Sequence, residues 1–374
     1  WGKPMDVKLK KLGEQVVVIT GASSGIGLVT AREAARRGAK LVLVARAEDA
    51  LRQLAEEING SGGEAVYVVA DVGREEDVRR VAEQALARFG RVDTWVYNAG
   101  VSIYGRILDT PFEDMRRLYE TNFWGVVYGS VVAAEILRQR GGALINIGST
   151  LSDRAIPIQG VYSSSKHAVK GFTDALRMEL EEEGAPVSVT LVKPAAIDTP
   201  YTKHAKNFME KEPAVPPPVY APEVAAETIL HCAETPERDV FVGGGGKAFS
   251  VMEKYMPRVG DKLMRYYIFD AQQQDEPAHP RGDAGLYEAS GELKERSGDP
   301  MYVSESSLYT KASLHPLLAG ALFAGAGLAA VALLTRPRRA AGNGGGKGRN
   351  GNGHARRDAQ PHVWPNAAGL PAEG

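Results

Sequence analysis

The chain has a single cysteine, Cys232, so no disulfide can form within it, and a reducing compartment is the expected setting. An excess of charge is lacking too. Lys and Arg number 45 against 46 Asp and Glu, a formal net charge of −1, which argues against a general nucleic-acid binder. The seven histidines are scattered without ligand spacing, and no Cys/His cluster exists, so no metal site is expected. The opening residues Trp1–Asp6 lack a signal-peptide apolar core, and nothing there suggests export.

What is present is an apolar content of 44%, ample for a core, in a length that suits one large α/β domain plus extensions. Gln15–Thr20 is a β-branched run that fits a parallel strand buried on both faces. It breaks into Gly21-Ala22-Ser23-Ser24-Gly25-Ile26-Gly27, and a helical pattern follows over Leu28–Arg37. Strand, glycine-rich turn and helix are the context a phosphate-cradling loop requires. Glycines admit the backbone to a pyrophosphate, and the helix N-terminus offers free N–H groups. Leu41–Ala45, Ala65–Ala70, Thr94–Tyr97, Ile145–Ser149, Val187–Val192 and Asp239–Val242 read as further strands, with helical patterns between them. The alternation predicts an α/β fold, a Rossmann-like doubly wound parallel sheet with helices on both faces.

Helical spacing over Tyr162–Glu183 puts Tyr162 and Lys166 one turn apart on one face. A free phenol, with a pKa of about 10, is a poor acid or base at neutral pH, and a neighbouring cation favours its ionised form. Ser149 can add a hydrogen bond to the phenol or to a substrate carbonyl. A Tyr and Lys one turn apart are more often plain surface neighbours, so the weight lies in the other motifs around them. Arg46 directly follows the second strand, where an acidic residue receives the ribose 2′-OH of NAD and an arginine the 2′-phosphate of NADP; NADP is expected over NAD. Gly243–Gly246 with Lys247 lacks the residues of a P-loop and reads as a loop.

Ser149, Tyr162 thirteen positions on, and Lys166 in Y-x-x-x-K resemble the active site of the short-chain dehydrogenases/reductases. Thr20–Gly27 is similar to the glycine signature of that family's single-domain branch. The resemblance implies that Tyr162 exchanges the hydroxyl proton, Lys166 lowers the phenol pKa and holds the nicotinamide ribose, and Ser149 polarises the substrate oxygen. Asn122, in Thr121-Asn122, would bend the helical stretch Pro111–Arg138 and fix a water leading to the lysine. Gly21, Ser23, Ser24, Gly25, Ile26 and Gly27 would cradle the pyrophosphate, and Asp71 with Val72 the adenine. Asn98 would tie neighbouring strands, Gly100 would leave room for the cofactor, and Pro194, Ile197 and Thr199 would meet the nicotinamide. Tyr97 and Ala195 depart from the family pattern, standing where Asn and Gly are usual.

The implied function is an NADP-preferring oxidoreductase acting between a nicotinamide and a carbonyl or secondary alcohol, with a substrate lid over Tyr201–Tyr220. An isomerase or epimerase of related fold and a non-catalytic, membrane-anchored nucleotide-binding module are the alternatives. The expected organisation is an N-terminal lead (1–13), the catalytic domain (14–260), an extended spacer (261–313), a transmembrane helix (314–335) and a basic Gly-rich tail (336–374). The spacer is rich in Gly, Pro, Asp, Glu and Ser, whereas Pro316–Leu334 carries no charge over a length that spans a bilayer core. Gly320/Ala324 and Ala321/Gly325 are small-residue pairs suited to helix association in lipid. Basic residues crowd the far side of the segment, so the positive-inside rule would keep the tail in the cytoplasm, in conflict with a cytoplasmic catalytic domain. The expectation is a membrane anchor with the catalytic domain in the cytoplasm, a soluble cytoplasmic protein being the alternative. A small-molecule substrate, a homo-oligomer and no nucleic-acid partner complete it.

Overall fold

Successive side chains of a strand point to opposite faces, and here both faces are apolar, so helices must cover each. The computed structural model describes residues 7–279, 285–290 and 293–315. Its main sheet has seven parallel strands: β1 (Val16–Thr20), β2 (Lys40–Ala45), β3 (Glu64–Val69), β4 (Thr94–Tyr97), β5 (Gly142–Ile147), β6 (Val187–Pro194) and β7 (Asp239–Val242). Their spatial order is β7-β6-β5-β4-β1-β2-β3. The chain reverses direction of winding between β1 and β4, and ligands of such sheets lie in the crevice beyond the strand ends at that point.

Val17, Ile19, Leu41 and Leu43 pack beneath α1 (Gly25–Arg36), α2 (Glu48–Gly60) and α7 (Pro222–Glu234). The alternate residues Val16, Val18, Val42 and Val44 pack against α3 (Glu75–Phe89), α5 (Gly125–Arg140) and α6 (Gly160–Glu182). The expected doubly wound sheet is thus the observed one. Between α4 (Phe112–Tyr119) and α5 the helical stretch loosens into a π-turn, Glu120–Trp124, around Asn122.

Tyr97 explains part of that turn. Its buried hydroxyl donates 2.8 Å to the Thr121 carbonyl. The phenol fits only because α5 presents glycines to it: a Cβ on Gly125 would lie 1.9 Å from the Tyr97 oxygen. The tyrosine that departs from the family pattern is therefore a strut between β4 and the π-turn.

The C-terminal extension corrects the expected boundary at residue 260 and the detached spacer 261–313. Gln273–Pro277 pairs antiparallel with Lys211–Pro213. Val303–Ser304 pairs with Val219–Tyr220, which in turn pairs with Ala196–Ile197 at the exit of β6. The helix Leu308–Leu314 buries Leu314 in the α1/α7 layer, and Thr310 Oγ1 accepts 2.9 Å from the Gly243 N–H. The described residues belong to one compact unit. Composition misleads here because the extension builds no core of its own. It adds strands to existing edges and inserts single apolar side chains, Leu286, Leu293, Val303 and Leu314, into clusters formed by the rest. The lead is docked likewise, with Leu12 buried and its N–H bonded to Glu234 at 3.0 Å. The expected transmembrane segment lies outside the described residues apart from Leu314 and His315, and the tail 336–374 lies wholly outside them. Among the described residues no helix is long and apolar enough to cross a membrane.

Leu314→Ala should lower the unfolding free energy by about 2–3 kcal/mol, the cost of truncating a buried leucine. Chemical denaturation measures it; a midpoint identical to wild type would return the extension to a detached spacer.

Candidate active site

At the carboxyl ends of β1, β4, β5 and β6 the strands open into a cleft of about 310 Å³. Its walls carry every residue expected at the site except Gly27 and Asn122, which stand directly behind them. Gly21 has a left-handed backbone (φ 68°), and a Cβ on Gly27 would come within 2.1 Å of the Gly21 carbonyl oxygen. Only glycine permits this approach of α1 to the loop. Asn98 closes the crevice floor: its side-chain nitrogen donates to the carbonyls of Thr20 and Gly21, each at 3.2 Å, while Thr20 Oγ1 accepts from the Asn98 N–H at 3.0 Å. The expected tie between neighbouring strands is in place.

Towards the far end of the cleft, Asp71 accepts 2.6 Å from Arg117 and 3.0 Å from the Gly73 N–H. Arg46 lies beside this pair, and burial pushes its guanidinium pKa down, against the pull of Asp71. The guanidinium is half-buried. It donates to the backbone carbonyls of Leu286 (3.2 Å), Tyr287 (3.0 Å) and Glu288 (3.0 Å), and to that of Gly285. The Gly25 N–H at the start of α1 donates 2.9 Å to the Lys294 carbonyl. The described residues 285–288 and 294 of the extension therefore lie against the cleft as a strap, with two of the expected phosphate donors bonded to them. Arg117 and the strap went unpredicted; backbone carbonyls carry no sequence signal.

At the inner end, α6 brings Tyr162 and Lys166 together, the ammonium 5.7 Å from the phenol ring centroid. Lys166 Nζ donates 2.8 Å to the Ile147 carbonyl at the end of β5. Ser149 caps the short turn Thr150–Ser152, its oxygen accepting 3.0 Å from the Leu151 N–H. Asn122 is engaged on both sides: it donates 2.9 Å to the Val101 carbonyl and 3.2 Å to Ser165 Oγ, and accepts 2.8 Å from the Val101 N–H. It thereby clamps the chain leaving β4 to the base of α6. Burial pushes the Tyr162 phenol above its ordinary value, while hydrogen-bonding influence from Tyr201 and Ser149 draws it back. Burial is the largest influence on the phenol, and the expected depression by Lys166 is not among those that draw it back. Burial lowers the Lys166 ammonium to about 8.

A protein-family model described as short chain dehydrogenase matches residues 15–210. An uncharacterized oxidoreductase of Bacillus subtilis is 48% identical over 322 residues, 85% of this chain and 90% of that protein. The chain belongs to the short-chain dehydrogenases/reductases. Among curated relatives of this family, 11-beta-hydroxysteroid dehydrogenase A of Sesamum indicum is 42% identical over 193 residues, about half of each chain (50% and 54%). A Burkholderia phymatum short-chain dehydrogenase/reductase solved with NAD superposes at a TM-score of 0.60 and 26% identity, covering 68% of this chain and 96% of its own. An alcohol dehydrogenase from Thermococcus sibiricus, solved with 5-hydroxy-NADP, gives 0.54 and 29%, covering 61% and 95%. A nicotinamide cofactor and a substrate of the CH–OH/C=O type follow for this short-chain dehydrogenase/reductase.

The lowered Lys166 pKa has a sign that stability can read. Between about 8 and the ordinary 10.5 the unfolded chain holds a proton at this lysine that the folded chain has lost. Folded stability is then expected to rise with pH across that window. Denaturation of wild type and Lys166→Met should show wild type gaining on the variant as pH rises. A constant gap would mean an ordinary, hydrated ammonium.

Proposed function

We propose that the protein is an NADP-preferring reductase or dehydrogenase of ketones and secondary alcohols in which Tyr162 is the general acid/base. The observation that carries this reading is the meeting of Tyr162, Lys166 and Ser149 at the inner end of one cleft whose outer end holds the glycine loop, Asp71 and Arg46. The loop suits a dinucleotide: Gly21 and Gly27 leave no room for a Cβ, and α1 begins at Gly25, whose N–H a phosphate would take over from the Lys294 carbonyl. When bound there, a nicotinamide supplies or accepts the hydride at the substrate carbon.

The chain's own residues handle the proton and the orientation. Tyr162 gives its proton to the carbonyl oxygen in reduction, or takes the hydroxyl proton in oxidation. The Lys166 ammonium, anchored at Ile147, stabilises the phenolate so formed and stands where it can hold a ribose hydroxyl. Ser149 donates to the substrate oxygen and keeps it facing the phenol. Asn122 supports the lysine side of the relay by clamping the base of α6. Leu151, Ile156, Val215 and Pro216 on the wall give the substrate end an apolar lining, which suits a carbonyl carried on a hydrocarbon skeleton. The NADP preference is supported by two guanidinium groups, Arg46 and Arg117, at the adenosine end. A 2′-phosphate would replace neutral carbonyls as the partner of Arg46, adding an opposite charge that the carbonyls lack.

Tyr162→Phe should abolish turnover of a ketone panel while leaving NADPH affinity, followed by quenching of protein fluorescence, nearly unchanged; retained activity sinks the mechanism. Arg46→Asp should weaken NADPH by at least about tenfold and spare NADH, through loss of a charge-assisted bond plus repulsion. Equal losses for both cofactors would leave Arg46 as an anchor of the strap alone.

A further inference from the structure

One buried polar cluster, outside the residues assigned above, stands against the inner end of the cleft and reaches into the C-terminal extension. The Tyr201 hydroxyl lies 2.7 Å from Ser102 Oγ and donates 3.0 Å to Gln159 Oε1. Gln159 Nε2 donates 2.9 Å to Gln272 Oε1. Gln272 Nε2 in turn donates to the carbonyls of Pro157, at 2.9 Å, and Ile268, at 3.1 Å. Carbonyl oxygens only accept, so these last two bonds fix the rotation of the Gln272 amide. That amide then fixes Gln159, nitrogen towards the extension and oxygen towards Tyr201. Ser102, Gln159 and Gln272 are all buried. A polar network in such a place is costly unless every member is satisfied, and a satisfied one holds its members rigidly.

The backbone gives an independent sign. Ile158 has φ 68°, and among the described residues no other non-glycine has a positive φ. A β-branched residue resists this conformation, and such outliers persist where the surroundings over-determine them, often at functional sites. The Ile158 carbonyl is held by the Gly105 N–H at 2.9 Å, and the turn delivers Gln159 to the cleft. The Tyr201 ring meets Tyr162 edge-on, centroids 5.6 Å apart and planes at 70°, and meets Tyr104 in the same manner at 6.2 Å. Tyr162 is thus faced by Lys166 from its own helix and by Tyr201 from the segment after β6, with Tyr104, from the strand Ile103–Tyr104, packed in turn on Tyr201. His204, from that same segment, lines the cleft as well.

We propose that Tyr201, fixed by Gln159 and through it by Gln272 of the extension, is a positioning residue for the Tyr162 phenol, an inference that rests on the reading of Tyr162 as the proton-exchanging group. The edge-on ring blocks the swing of the phenol away from Ser149 and Lys166. The Tyr201 hydroxyl, whose single proton can turn from Gln159 Oε1 to a newly formed Tyr162 phenolate, opposes the effect of burial on Tyr162. Gln272 lies beyond the stretch matched by the family model, so this chain brings part of its positioning machinery from outside that stretch.

Tyr201→Phe keeps the ring and removes the hydroxyl. It is expected to lower kcat about tenfold, the size of one hydrogen bond in a barrier. The limb of the pH–rate profile that reports Tyr162 should move to higher pH with NADPH affinity unchanged, beside a modest fall in thermal midpoint from the Gln159 oxygen left without its donor. Gln272→Leu, which lines no part of the cleft, should move kcat and the profile the same way by a smaller factor. Wild-type kcat and profile in both variants, beside an inactive Tyr162→Phe, would overturn this proposal alone. An active Tyr162→Phe would overturn it together with the reading beneath it. A fall in kcat with an unmoved profile and a lower thermal midpoint would reduce the cluster to packing and overturn it too.

Discussion

The arrangement depends on one constraint: β1 and β4 are hydrogen-bonded neighbours whose chains depart in opposite directions, so their carboxyl ends must diverge without coming apart. The Asn98 side chain meets that constraint by bonding to the carbonyls of both Thr20 and Gly21. Without it, the part-buried carbonyls of Thr20 and Gly21 at the crevice floor would lose this donor, and the glycine loop would lose its tie to the end of β4. From this seam the rest follows. Gly21 can adopt its left-handed turn, α1 can begin at Gly25, and Tyr97, one residue before Asn98, can reach across to set the π-turn. That turn places Asn122 where it clamps Val101 and the base of α6, and α6 carries Tyr162 and Lys166. The seam and the Tyr162–Lys166 pair are thus joined by a short series of hydrogen bonds.

The second organising feature is the extension. It completes the walls of the cleft on two sides, with strap carbonyls against Arg46 and Gly25 at the cofactor end and Gln272 behind Gln159 at the substrate end. Burial is what gives these contacts weight. A backbone carbonyl exchanged for water at a surface arginine counts for little, whereas several converging on a half-buried guanidinium fix it in place. The same segment therefore also fixes where the Arg46 guanidinium stands in the cleft.

The sequence was most legible where function is written into adjacent residues. Thr20–Gly27 and Tyr162–Lys166 each lie within one strand-turn-helix or helix, so their spacing, read together with the other motifs, placed them on those elements, and the strands were visible as β-branched runs buried on both faces. Legibility failed where partners are far apart or chemically silent. Gln159 and Gln272 are separated by 113 positions, and neither has a motif around it. The strap holds Arg46 through peptide carbonyls that any residue could supply, so its polar composition read as a spacer. The role of Tyr97 was hidden for another reason. A tyrosine there makes sense only with Gly125 and Gly129 facing it, and a helix interior does not advertise which glycines are making room.

The account stands most directly on a single-turnover measurement with NADPH carrying deuterium at the transferable position, mixed with excess enzyme and an apolar ketone. It predicts an alcohol with one deuterium on the carbinol carbon from wild type, and none formed over the same interval by Tyr162→Phe that binds NADPH normally. Oxidation of NADPH without deuterium in the alcohol, or full transfer in the variant, would contradict it.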